Sequence, residues 1–303
     1  MLVSRCLALA ALVMMFATGC SIKRMAVNKM GNALASGGST FQRDDDPDLV
    51  GDALPFGLKF MESLLAESPR HKGLLLAVAS GFTQYAYVYV QQKADEAEPV
   101  NLAQATELRL RARRLYLRAR GYALRGLALK YSGIEQSLRQ DPAAAVRPMK
   151  KEDVPLMYWT AASWGAAISL SKNNPDLVAD QPIVEALIDR ALQLDESWNQ
   201  GSIHGFLIGY ESSRIGGQEG AAKRARSHFD RAMELSKGEL ASPLVSLAEA
   251  VPLPAQDKKE FVAVLNRALA IDPGARADAT LENMVMQRRA RWLLGRLDDL
   301  FLE

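Results

Sequence analysis

The chain has 303 residues, 49% hydrophobic and 24% charged, with 37 basic against 35 acidic side chains. Its apolar content and near-neutral balance exclude a disordered tail, and a formal charge of +2 gives no field that would point to nucleic acid. Three histidines far apart in sequence (His71, His204, His228) and two cysteines exclude ordinary zinc-finger and disulfide frameworks.

Residues 1–19 read as a signal peptide. Arg5 supplies the positive start, and Cys6 to Phe16 is an apolar run too short for a stable membrane-spanning helix. Ala17, Thr18 and Gly19 then lead into Cys20, an apolar run, small residues and a cysteine in lipobox order, although Ala17 stands where leucine is favoured. On this reading Cys6 is discarded and Cys20 carries lipid, so the mature chain has neither a free thiol nor a disulfide and depends on packing alone. Ser21, where aspartate would favour retention at the inner membrane, points to the outer membrane of a periplasmic lipoprotein.

Residues 20–45 read as a polar tether with a Gly/Ser patch at 36–39, and residues 46–303 as one helical domain. Asp46-Pro47-Asp48 is a helix start: a capping carboxylate, a proline at the first helical position and an acid in the first turn. Leu54, Leu58, Met61 and Leu65 then recur at helical spacing until Ser68-Pro69. A second helix is expected over 72–97; its Tyr85 to Val90 segment would pass for a strand alone, but no partner strand is nearby. Over 102–131, Leu108, Ala112, Leu115, Ala119 and Tyr122 form an apolar stripe, while Arg111, Arg114, Arg118 and Arg125 share another face. Further helices are expected around 142–150, 154–172, 180–194, 198–214, 219–236, 241–250, 257–271 and 278–302, joined by short Pro-, Gly-, Asn- and Asp-rich connections.

The second half repeats itself. Leu187 to Asp195, Phe229 to Leu235 and Leu265 to Pro273 each carry a bulky residue, then Arg-Ala, then an apolar residue three positions on. Small residues such as Ala191, Ala232 and Ala268 let paired helices approach closely, which is the second-helix signature of tetratricopeptide-like repeats. The fold expected is therefore all-α: antiparallel helix hairpins forming an α-solenoid or a compact helical bundle. The final helix would cap the last repeat.

Five blocks carry a more specific resemblance: Met25 to Leu34, Asp44 to Asp48, Gly73 to Tyr87, Tyr158 to Ala166 and Pro182 to Leu192. Together they resemble the T-component family of TRAP transporters over about residue 21 to the C-terminus. The resemblance implies a helical, tetratricopeptide-like periplasmic lipoprotein. It implies association with the solute-binding P-component of a tripartite ATP-independent uptake system. It also implies a homo-oligomer, with a trimer as the leading picture, and an apolar channel in each protomer suited to hydrophobic small ligands. The rival expectation is a tetratricopeptide scaffold lipoprotein serving outer-membrane or envelope assembly.

No catalytic constellation, cofactor motif or metal-ligand set emerges, and the chain reads as a binding protein without enzymatic activity. Ser163 lies in Ala161-Ala162-Ser163-Trp164-Gly165, which echoes a nucleophile elbow but lacks the first glycine and a preceding strand. Asp44, Asp45 and Asp46 lack the alternating spacing of a calcium loop, and helix capping accounts for Asp46 and Asp48. The glycines at 216, 217 and 220 are not followed by Gly-Lys-Ser/Thr, so no phosphate loop is present. Two groups remain. Phe82, Tyr85 and Tyr89 share a helix face and Tyr158, Trp159 and Trp164 crowd another; these six are candidate linings of a ligand cavity. Arg111, Arg114, Arg118 and Arg125 are a candidate docking surface for an acidic partner.

Overall fold

The computed structural model describes residues 25–36 and 38–302; the signal peptide 1–19 and Cys20 lie outside the described residues. The fold is all-α, and no strand occurs among the described residues. The principal helices are α1 (Pro47–Glu67), α2 (Lys72–Ala97), α3 (Leu102–Ala128), α4 (Ile134–Gln140), α5 (Pro142–Val146) and α6 (Val154–Ser169). They continue with α7 (Gln181–Leu194), α8 (Ser202–Tyr210), α9 (Ala221–Leu235), α10 (Ser242–Ala250), α11 (Lys258–Leu269) and α12 (Thr280–Leu294).

Cap chemistry sets many of the starts. Asp46 accepts from the amides of Asp48 and Leu49, Asn101 from Gln104, Asp141 from Ala144 and Asp257 from Glu260, each filling an otherwise unpaired amide of a first turn. Cross-helix contacts then fix the directions. Tyr89 Oη donates to the Pro47 carbonyl (2.7 Å), and the turn at 68–71 closes the other end, so α1 and α2 run antiparallel. Alternate helices run parallel: Glu62 meets Arg118 and Pro69 meets Arg125 on α1 and α3, while Ala241 and Ser242 meet Asn283 and Glu282 at the starts of α10 and α12. Hairpins stacked with every second helix parallel are the arrangement of a helical solenoid.

The repeated alanines sit where such hairpins need small side chains. Ala191, Ala232 and Ala268 are fully or almost fully buried. Gly201 adopts φ +85°, and a Cβ there would stand 3.1 Å from the Leu235 side chain and 3.4 Å from the Ala232 backbone, so α8 begins directly against α9.

Several boundaries differ from the sequence reading. The expected helix over 198–214 is interrupted at its start, because Asn199, Gln200 and Gly201 all have positive φ and α8 begins only at Ser202. The helix expected over 102–131 ends at Ala128, and Gly133 (φ +71°) starts a helix, α4, that the sequence reading lacks. The helix expected over 278–302 stops at Leu294 and resumes for one turn at Leu297–Leu300. Residues 25–36 and Gly38–Gln42, within the expected polar tether, are helical. Asn28 fastens the first of these to the α1–α2 turn: its Oδ1 accepts from Ser68 Oγ at 2.7 Å.

The strand-like segment of α2 is helical, but with a wider turn: Ala86–Gln91 is a π-helical stretch inside Lys72–Ala97. This helix is long and apolar enough to cross a bilayer, yet half of its most apolar window is buried inside the fold, as in a core helix.

Gly201→Ala is expected to destabilise the chain by about 1–3 kcal/mol, from the left-handed backbone and the pressure on Leu235. Urea unfolding followed by circular dichroism checks it.

Candidate functional site

The site begins with Tyr158 on α6. Its ring packs edge-on against Trp159 (5.0 Å between centroids), against Trp198 at 4.7 Å and near Phe206 at 6.3 Å; Phe206 in turn stacks on Tyr210 at 5.1 Å. Five aromatic rings from α6, the 198–201 turn and α8 thus converge. Each of these five rings offers a large apolar area to the core and keeps part of its surface accessible. On α8, a Cβ added at Gly205 or Gly209 would meet nothing within 4 Å, so that helix also faces open space.

Glu282, in the first turn of α12, accepts a hydrogen bond from Ser242 Oγ on α10. Its side chain is accessible, yet burial pushes its carboxyl above the usual carboxylate range. Burial likewise pushes the Tyr158 phenol up, and the negative charge of Glu282 adds to that shift. Tyr87 is pushed up to about 12, first by burial and then by Glu249. It packs against both the central core and the C-terminal core. Burial disfavours the charged form of each of these groups.

Of the six aromatic candidates, the structure brings Tyr158 and Trp159 together here. The others lie elsewhere. Trp164 is fully buried; its indole donates to Asp180 Oδ2 (3.2 Å), and the guanidinium groups of Arg120 and Arg139 stand 4.5 and 5.6 Å from its ring. Phe82 is buried against Tyr122, with Arg118 5.1 Å from its ring. Tyr85 and Tyr89 pair at 5.6 Å on the side of α2 that faces α1, where Tyr89 holds Pro47. Trp198, Phe206 and Tyr210 are the members of this aromatic cluster that sequence reasoning missed. Tyr210 is four residues from Phe206, a helical-spacing signal in the sequence; the rest come together only through the hairpin stacking.

The arginine row is largely engaged within the molecule. Arg118 grips Glu62 through Nε at 2.5 Å and Nη2 at 3.0 Å, with Tyr122 Oη on the same carboxylate at 2.7 Å. Burial would raise the Glu62 carboxyl, but hydrogen bonds from Lys59, Tyr122 and Arg118 hold it below the usual range. Arg111 donates to Tyr85 Oη and Arg125 to the Pro69 carbonyl, both at 3.4 Å, while Arg114 is exposed. Ser163 is buried, and its hydroxyl bonds the carbonyls of Trp159 and Thr160 inside its own helix. Asp44 and Asp46 accept backbone amides of the loop and of α1, which is capping geometry. Two open grooves lie elsewhere: one of about 340 Å³ between α5 and α7 beside Val146 and Arg190, and one of about 590 Å³ between α3 and α4 beside Leu124 and Arg139.

Two histidines distant in sequence meet. His204 Nδ1 and His228 Nδ1 are 2.9 Å apart, so one ring donates and the other accepts. His204 Nε2 faces Glu196 at 3.4 Å, and His228 Nε2 lies 3.6 Å from Glu211. Glu211 is buried and held by Arg214 Nε (2.7 Å) and Arg224 Nε (2.5 Å). Burial lowers both histidines' affinity for a second proton, outweighing Glu196 at His204; at His228 the neighbouring His204 lowers it further.

Comparison with known proteins places these features in a family. The family model for the TRAP transporter T-component matches residues 43–301. A relative from Treponema pallidum (strain Nichols), itself an uncharacterized protein, is 29% identical over 307 aligned residues, covering 94% of this chain and 94% of the relative. The chain belongs to the TRAP transporter T-component family. Its class is that of an accessory component of a transport system.

The histidine pair makes stability pH-dependent in a defined direction. A histidine whose proton affinity falls on folding binds its proton more readily in the unfolded chain, so stability rises with pH. The stabilisation is present in full above about pH 6.5 and is lost as pH falls through the lower folded values. The melting temperature is expected to drop on going from pH 7 toward 5, and His228→Gln should flatten that stretch of the profile. Calorimetry across this window checks it.

Proposed function

We propose that this T-component is a periplasmic lipoprotein anchored through lipid on Cys20, in the outer membrane in preference to the inner. It associates with the solute-binding P-component of its TRAP system and holds a hydrophobic small ligand in a recess at the aromatic cluster of α6 and α8. It acts as a homo-oligomer, with a trimer as the leading arrangement, and by binding, without bond-making. The observation that carries the ligand reading is the partly uncovered aromatic cluster around Tyr158. Five rings left accessible inside a packed helical protein offer an apolar ligand area that water serves poorly. Ser242 and Glu282 add a polar point that would orient an amphiphile with its tail along the aromatic wall.

The family match supports the transport side of this reading, since the whole helical body takes part in it. A ligand that enters the recess would be handed between this protein and its solute-binding partner, which explains why a non-enzymatic helical protein belongs to an uptake system.

Tyr158→Asp is expected to weaken binding of a fluorescent long-chain fatty acid at least tenfold, because an unpaired charge in an apolar recess costs several kcal/mol and about 1.4 kcal/mol is tenfold in affinity. Fluorescence titration of a variant with unchanged circular dichroism checks it, and unchanged affinity would remove Tyr158 from the ligand site. Near-stoichiometric recovery of a solute-binding protein after gentle cross-linking in cells supports the partner. Recovery of barrel-assembly or cell-wall proteins instead would favour the envelope-scaffold alternative.

A further inference from the structure

Exposed apolar side chains are not scattered evenly over this molecule. Of the twelve large hydrophobic residues exposed among the described residues, seven fall between positions 25 and 60. On α1, Leu49 (59% exposed), Phe56 (77%) and Phe60 (37%) stand at spacings of seven and four, so they share one helix face. Phe56 and Phe60 stack with nearly parallel rings, 6.1 Å between centroids. The helix over 25–36 adds Met30 and Leu34, one turn apart on its outward side. A row of this kind on a soluble body marks an interaction surface, since single exposed apolar residues are ordinary but contiguous ones are not.

The chain itself says what lies next to this face. Asn28 is fastened to the turn between α1 and α2, through Ser68 Oγ at 2.7 Å and facing His71 Nε2 at 3.3 Å. The N-terminal helix therefore begins near the C-terminal end of α1. Phe60 is eight residues from Ser68, about 12 Å along the helix. Cys20 is only five residues before Met25, a link that spans at most about 17 Å. A lipid on Cys20 would enter a bilayer within reach of Phe56 and Phe60.

We infer that the outward face of α1 rests on the membrane surface and sets the orientation in which the anchored protein stands. The inference rests on the anchoring proposed above. The occupant is a leaflet of net-neutral phospholipid headgroups: Asp45, Asp46, Asp48 and Asp52 are exposed around the apolar row, and Lys29, Arg43 and Lys59 are exposed with them, so the mixed charge selects no strongly charged surface. Aromatic side chains suit this depth, with apolar rings that settle at the boundary between headgroups and acyl chains. The lipid supplies attachment, and α1 supplies the second contact that turns a flexible tether into a defined pose.

The composition offers a clean probe. With Cys6 removed and Cys20 lipidated, Ser63→Cys introduces a sole free thiol on the same face, three residues beyond Phe60, and leaves the aromatic pair intact. The lipidated full-length variant is labelled with an environment-sensitive dye and placed in phosphatidylethanolamine/phosphatidylcholine vesicles. The expected result is quenching by lipids carrying a nitroxide on the acyl chain and a severalfold loss of quenching by iodide in the water. A dye at Ile215→Cys, exposed in the C-terminal half, should show the reverse. Adding Phe56→Asp and Phe60→Asp should restore iodide access at position 63 while the protein still pellets with the vesicles. A position 63 as open to iodide as position 215 overturns the inference. So does shielding that arises without lipid and grows with protein concentration, which would assign the face to a second copy of the chain. The intact mass of the same preparation reads the lipid on Cys20 separately: a missing lipid refutes the anchoring, whereas a lipidated protein with an uncovered α1 refutes the docking alone.

Discussion

The fold turns on one helix that serves three cores at once. Leu74, Leu75, Val78 and Phe82 of α2 belong to the N-terminal core, Ala86 and Val90 to the central core, and Tyr87 and Val88 pack against the C-terminal core. A regular helix repeats every 3.6 residues and presents a narrow apolar stripe, so it cannot easily turn consecutive residues toward different neighbours. The π-helical stretch at 86–91 widens the turn at the point where α2 changes allegiance. Further along, Arg289 of α12 reaches Asp95 at 3.0 Å and Glu249 at 2.7 Å, tying α2 to both α10 and α12. With its side chain only 10% exposed, this guanidinium depends on both carboxylates, since a buried charge that loses its partner is strongly destabilising.

Hairpin stacking also assembles the aromatic cluster, whose rings come from different elements: Tyr158 from α6, Trp198 from the 198–201 turn and Phe206 from α8. On α8, Gly201 lets the helix start tight against α9, while a Cβ at Gly205 or Gly209 would meet nothing within 4 Å. The same helix is thus close-packed on one flank and bare on the other.

Much of the fold was legible in the sequence because helical periodicity is local. The cap at Asp46, the stripe on α3 and the three Arg-Ala tails all lie within single segments, and each occupies the element expected. Position 198 was not legible: three consecutive residues with positive φ break the helix there, and only one of them is a glycine. The site was legible in half-measure. Tyr158 and Trp159 stand out as neighbouring aromatics, but their partners Trp198 and Phe206 lie forty and more residues on. Trp164 carried the same aromatic signal and is core, because Asp180 and two arginines claim it. Residue type marks a candidate, and only the stacking of hairpins decides which face it meets. The histidine pair makes the same point in reverse: 24 residues separate His204 from His228, and nothing local announces a 2.9 Å contact.

The part-open rings also carry a thermodynamic argument. Apolar area left uncovered forgoes about 25 cal/mol per Å² of stabilisation. A chain with two cysteines in 303 residues draws its stability chiefly from packing, so it has reason to cover such area. Phe82, Tyr116 and Trp164 show that it can seat large aromatics in complete or near-complete burial. The rings around Tyr158 are left part-open in the same protein, beside a carboxyl that burial drives toward its neutral form. On the reading proposed above, a ligand seated against these rings would cover the apolar area that they leave exposed and stabilise the folded chain.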